Sequence, residues 1–134
     1  MQSWPKIKPK PWGREIWFAA TKHYAGKILE VKKGARLSLQ FHEKKEETQL
    51  LFSGRVRLTF GPNLKKLKTK ILKPGQVFHI PPKTIHRLEG LAPLSKIFEV
   101  STPELTDVVK IEDDYGRSGS GNDEKLDRKL ARRK

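Results

Sequence analysis

The sequence predicts an all-β sandwich or barrel. Short stretches in which apolar and polar side chains alternate recur from Glu15 to Ile111. A two-residue period is that of a half-buried strand. Gly and Pro turns separate these stretches at the spacing of sandwich and barrel strands. No stretch before residue 120 calls for a helix.

Ser3 to Pro11 alternates Lys and Pro and reads as an extended arm, closed by Trp12-Gly13. Glu15–Ala20 and Ala25–Val31 read as strands, with Lys32-Lys33-Gly34 as the next turn. In Arg36–Phe41, Leu37, Leu39 and Phe41 alternate with Arg36, Ser38 and Gln40. The charged turn Glu43 to Glu46 leads into the strand Thr48–Phe52. Arg55–Phe60 should point Val56, Leu58 and Phe60 inward, and after Gly61-Pro62-Asn63 the run Lys66–Leu72 alternates again. Val77–Ile80 follows Lys73-Pro74-Gly75, and Pro81-Pro82-Lys83 is a rigid turn before His86. Lys96–Ser101 and Val108–Ile111 complete the strands. Ser118 to Asn122 breaks the pattern. Asp123 to Lys134 has the spacing of a charged helix with Leu126 and Leu130 at i, i+4, but two leucines bury little, so 118–134 reads as a flexible, charged tail outside a single domain of residues 1–117, whose first 14 residues form the arm.

At 134 residues the chain is long enough for one domain with its own core. The absence of cysteine excludes disulfides, thiolate metal sites and a cysteine nucleophile. No apolar run approaches the about 18 residues of a membrane span, and the first residues lack a signal-peptide core, so a soluble, cytoplasmic protein with no membrane partner is expected. The net charge of +14 raises the question of nucleic acid. The charge is spread along the chain, and no helix-turn-helix, aromatic RNA-binding or finger pattern accompanies it, so a basic solvated surface is the reading and specific nucleic-acid binding is not expected. Such a surface also favours anionic substrates such as sugar phosphates.

One constellation carries chemistry. Gln40 and His42 share a strand face, and a hairpin would swing Glu47 onto it. His86 is the candidate for a fourth ligand from far along the chain. Neutral amide, two imidazoles and one carboxylate leave a divalent cation with net positive character, as a Lewis acid requires. Open positions would remain for water or substrate. Zn is the first expectation, with Mn, Fe, Co or Ni open, because His and carboxylate suit them all.

Gly34-x5-Gln40-x-His42-x4-Glu47-x6-Gly54 resembles the first cupin motif, with Gln for its first His, and Gly75-x5-Pro81-x4-His86 resembles the second. The second motif usually has Gly where Lys83 stands and Asn where Gly90 stands. Pro11-Trp12-Gly13, Ala35 to Gln40, Ile80-Pro81-Pro82, His86 to Glu89 and Ile111 to Arg117 narrow the resemblance to the cupin domain of type II mannose-6-phosphate isomerases. In bifunctional members that domain follows a guanylyltransferase. The isomerases carry a His-rich turn where this chain has Glu43 to Glu46, and His-Trp where it has Thr48-Gln49.

The resemblance implies a jelly-roll cupin that interconverts a phosphorylated aldose and ketose with one divalent metal. Guanidinium forks suit phosphate. Arg36 is the first candidate for substrate, then Lys45 near the mouth, with Arg87 and Arg117. Packing is as good a reading as catalysis for His79, and Trp12, Trp17 and Tyr115 read as core or rim. No residue is assigned as catalytic base. Two alternatives stay open: a metal cupin that binds a sugar phosphate or nucleotide sugar without turnover, and a cupin oxygenase. A homodimer is expected, in which the arm or an edge strand crosses between subunits.

Overall fold

The computed structural model describes residues 4–132. In chain order the elements are β1 (Lys6–Lys10), β2 (Gly13–Ala20), β3 (Ala25–Lys32), β4 (Leu39–Phe41), β5 (Glu47–Ser53), β6 (Val56–Gly61), β7 (Lys68–Leu72), β8 (Val77–Ile80), β9 (Ile85–Gly90), β10 (Leu94–Ser101), β11 (Val109–Glu112), β12 (Gly119–Ser120) and α1 (Glu124–Ala131). They form two six-stranded antiparallel sheets, ordered β1-β2-β3-β10-β5-β8 and β12-β11-β4-β9-β6-β7. This is the jelly-roll sandwich expected of a cupin.

The alternating residues supply the core. Leu29, Val31, Leu51 and Ile97 of the first sheet meet Val56, Leu58, Leu72 and Leu88 of the second, and Trp12 closes the layer. Each such aliphatic side chain contributes roughly 1.5–3 kcal/mol relative to exposure. Gly54 makes the tight turn between β5 and β6 at φ +92°, where a Cβ would lie 2.6 Å from the Cα of Ser95. Ser95 Oγ donates to Arg55 O at 3.0 Å and accepts from Arg55 N at 3.1 Å, so the turn is locked to β10. Lys83 adopts φ +67°, the left-handed region that explains Gly at this place in the cupin motif. Its amide donates to His42 O at 2.6 Å and ties the end of β4 to the turn before β9.

Four readings of the sequence need correction. The arm is not a separate extended segment: Lys6–Lys10 pairs residue by residue with β2, and Trp12 is 2% exposed in its own core. The strand expected from Arg36 begins only at Leu39, because Leu37 N bonds Leu88 O at 3.0 Å and Arg36 makes a lone bridge to Glu89. His86 stands inside a strand, β9, which was not expected. Residues Ile85 to Leu88 are all buried, so the run lacks alternation.

The fourth correction concerns the tail. Gly119–Ser120 pairs with β11, and α1 packs on β1. Asp123 caps the helix by accepting from Leu126 N at 3.1 Å. Lys8 bonds Glu124, and Asp127 lies between Lys10 and Arg117. Two leucines alone would not order this segment; long-range charge pairs do. No helix among the described residues is long and apolar enough to cross a membrane.

Candidate metal centre

Glu47 opens β5 and is 2% exposed. Its Oε1 lies 3.1 Å from His42 Nε2 and 3.2 Å from His86 Nε2. One ligand atom from each of the three residues falls within 4.8 Å of the others. His42 follows β4, and His86 sits on β9 opposite Gln40 in register. Gln40 lines the same cavity, and Ser38 Oγ donates to its Oε1 at 2.5 Å.

The outer ring nitrogens fix the chemistry. His42 Nδ1 lies 2.5 Å from Asp107 O, and His86 Nδ1 lies 2.9 Å from Thr84 O. A carbonyl only accepts, so each Nδ1 carries the proton. In the neutral ring Nε2 then presents a lone pair to the carboxylate. Three acceptors thus converge without a proton among them, a donor set that fits a cation. Asp107 also accepts from the amides of Glu43, Lys44 and Lys45 at 3.1, 2.7 and 2.9 Å. Its side chain holds the turn after His42 while its carbonyl holds the imidazole.

Behind Glu47 lies a buried charge network. Lys45 Nζ is 3.0 Å from Glu99 Oε2 and 3.4 Å from Glu47 Oε2, and Gln49 Nε2 donates to Glu99 Oε1 at 2.8 Å. Burial opposes ionisation of Glu47, yet the Lys45 ammonium beside it prevails and holds it well below the usual carboxylate range. Burial, with Glu47 next to it, pushes Glu99 up. Burial works against the Lys45 ammonium, but Glu99 and Glu47 outweigh it and raise its pKa. Glu47 Oε2 has no hydrogen-bond partner within normal geometry.

Of the residues expected on substrate, Lys45, Arg87 and Arg117 line the cavity. Arg87 Nε donates to Leu37 O at 2.8 Å. The Arg117 guanidinium makes two bonds to Asp113, at 2.7 and 3.0 Å, and one to Asp127 at 3.1 Å. Lys45 is not at the mouth but buried behind Glu47, because its ammonium reaches inward between two carboxylates. Arg36 turns outward onto Asp114, with bonds of 2.8 and 2.6 Å, since the strand alternation does not extend back to it. His79 is half exposed and pairs with Glu46 at 2.5 Å.

Several interior groups escaped the sequence reading: Lys10, Glu15, Lys27, Gln49, Glu99 and Lys110. Strand period could have found some of them. Lys27 stands two before the core Leu29, Glu99 two after the core Ile97, and Gln49 between Glu47 and the core Leu51.

A family model described as Mannose-6-phosphate isomerase C-terminal matches residues 3–114. Alginate biosynthesis protein AlgA of Pseudomonas aeruginosa is 34% identical over 114 residues, 81% of this chain and 22% of that protein. Mannose-1-phosphate guanylyltransferase RfbM of Salmonella typhimurium is 29% identical over 121 residues, 87% of this chain and 24% of that protein. The chain thus spans about a quarter of the length of these relatives. Among solved structures, the capsular polysaccharide assembling protein CapF of Staphylococcus aureus matches with a TM-score of 0.70 at 17% identity, over 84% of this chain and 35% of that one. Oxalate decarboxylase of Lactobacillus farciminis matches with a TM-score of 0.70 at 18% identity, over 80% and 33%. These structural likenesses bear on the fold. With the family match covering most of its length, the chain belongs to the cupins of the mannose-6-phosphate isomerase C-terminal family.

Proposed function

We propose that this cupin is a metal-dependent sugar-phosphate isomerase of the mannose-6-phosphate isomerase type. The observation that carries the reading is the convergence of His42 Nε2, His86 Nε2 and Glu47 Oε1, with each Nδ1 held by a backbone carbonyl. His42, Glu47 and His86 would hold one divalent ion, with Gln40 as the fourth ligand. A bound ion supplies Lewis-acid polarisation of a substrate oxygen. The chain's own residues do the rest. Asp107 and Thr84 fix the imidazoles, Lys45 and Glu99 fix Glu47 from behind, and the cations Arg87, Lys110 and Arg117 line the cavity and suit a phosphate.

Exchange of the C2 proton of mannose 6-phosphate in deuterated water, followed by NMR with the metal-loaded protein, tests the isomerase. Exchange with formation of the ketose supports it, and its absence at full metal occupancy refutes it. One observation favours binding without turnover: where the isomerases carry His-Trp, Gln49 is committed to Glu99. Saturable sugar-phosphate binding without exchange would select that reading.

A homodimer belongs to the same reading. Ile7, Ile16, Ile28, Phe98, Leu50 and Val77 stand in register across all six strands of the first sheet, none of them buried. Phe52 stacks on Phe98 at 5.0 Å and is exposed. An apolar row of this extent supports contact with a second copy. Light scattering at tens of micromolar should give twice the chain mass; a monomer rejects it.

A further inference from the structure

The segment after Arg117 supplies acceptors to the cations of the cavity. Lys10, Lys110 and Arg117 line the same cavity as His42, Glu47 and His86, and Asn122 closes part of its wall. Asp127 is 2% exposed, although it belongs to a helix that is otherwise half or fully exposed. Its carboxylate accepts from Lys10 Nζ at 2.8 Å and from Arg117 Nη1 at 3.1 Å. Lys110 Nζ donates to Gly121 O and, at 3.0 Å, to Asn122 Oδ1. A carboxylate held between a lysine and an arginine offers the charge and acceptor geometry of two phosphate oxygens.

Space points the same way. The cavity leaves about 60 Å³ for water centres. That is room for about four waters at roughly 15 Å³ each. A hexose phosphate needs several times as much. Most of the wall is β ladder buried against the core. At the end held by Lys10, Lys110 and Arg117, Asn122 completes the wall, and behind these cations stand a two-residue strand and an eight-residue helix held largely by ion pairs. That backing is the part that can yield.

We propose that residues 119–131 are an intramolecular competitor for the phosphate of the substrate, with Lys10, Lys110 and Arg117 as the phosphate subsite and Asp127 as its resident anion. The inference rests on the sugar-phosphate reading above and deepens it. When Asp127 leaves, three cations meet with Asp113 as the remaining acid on Arg117. A phosphate dianion then restores the balance. Burial and the neighbouring Arg117 and Lys10 already hold the Lys110 pKa below its usual value, so an anion is favoured there.

The test uses the full chain and inorganic phosphate, titrated calorimetrically at fixed ionic strength. Asp127→Asn keeps the shape of the side chain and removes its charge. It should bind phosphate about tenfold more tightly than the unmodified chain, within the usual range of coupling between competing contacts. The double variant Asp127→Asn/Lys110→Met should lose that gain, which separates the subsite from the basic surface. In the unmodified chain, phosphate should speed amide hydrogen exchange in Glu124–Ala131. If Asp127→Asn does not fold, Lys8→Ala loosens α1 from outside the cavity and should tighten phosphate binding by a smaller factor.

Equal or weaker phosphate binding by these variants, or slower exchange in α1 on adding phosphate, overturns the inference and makes the tail a structural cap. Phosphate binding requires neither metal nor turnover. Loss of the isomerase reading with the phosphate result intact, and the converse, are therefore distinct outcomes.

Discussion

At one end of the barrel interior, Glu47 faces two imidazole nitrogens that bring lone pairs and no proton. At the other, Lys10, Lys110 and Arg117 each have an acceptor within reach, and Asp127 holds two of them together. The first end has acceptors that call for a cation. The second has cations whose acceptors come from the segment after Arg117. Both ends are buried, so neither arrangement is averaged away by solvent. The difference teaches where outside ligands would enter the account: a cation would complete the first end, whereas an anion would have to compete at the second.

The strongest way to break this comparison is to remove the imidazoles. Purified protein should carry about one first-row divalent ion per chain. The double variant His42→Ala/His86→Ala should carry none and keep its far-UV circular dichroism. Full occupancy in that variant would take the metal away from this end altogether. Chelation of the unmodified chain should lower stability by about 4 kcal/mol if free metal stands near a thousand times Kd.

A second route is Lys45→Met. It leaves Glu47 and Glu99 buried without their shared cation, and removal of one partner from a buried pair costs about 3–5 kcal/mol. Urea unfolding measures it. A loss below about 1 kcal/mol would mean that Lys45 does not hold the carboxylates apart.

Acid titration sharpens the contrast at the cationic end. Burial works against ionised Glu15, but Lys27 and Lys10 outweigh it and bring the pKa from 4.5 to about 2. The folded value lies below the unfolded one, so the stabilisation is complete above pH 4.5 and is lost as pH falls toward 2. A shift of this size is worth about 3 kcal/mol. Glu15→Gln should flatten the melting temperature over that window, and an unchanged acid slope would assign the loss to other carboxylates.

The smallest effect belongs to the outermost contact. Lys8 and Glu124 meet at the surface, so Lys8→Ala should cost below about 1 kcal/mol of global stability. A thermal melt checks it. A larger loss would make α1 part of the barrel's main cooperative unit.

The sequence made most strands, and the shared face of Gln40 and His42, legible because both follow a two-residue period. Gln40 and His42 do share a cavity face, and Glu47 does swing to them through the hairpin. β9 was hidden because Ile85, His86, Arg87 and Leu88 are buried in succession, which erases the alternation. Lys45 was misplaced because a charged turn reads as exposed, and nothing local shows that its ammonium finds Glu99 across 54 residues. The docking of the helix onto the barrel was missed for the same reason. Its two leucines bury little, and its anchors Lys8, Lys10 and Arg117 lie elsewhere in the chain.

The contact between β1 and α1 has a consequence in time. Lys8 and Glu124 are 116 positions apart, so docking the helix closes one of the longest loops in the molecule. Contacts of such separation form late, after the sheets have given the chain its shape. Substitutions in α1 should therefore speed unfolding and leave the folding rate nearly unchanged. During synthesis, the barrel's cationic end would stay open until the ribosome has released the residues that shut it.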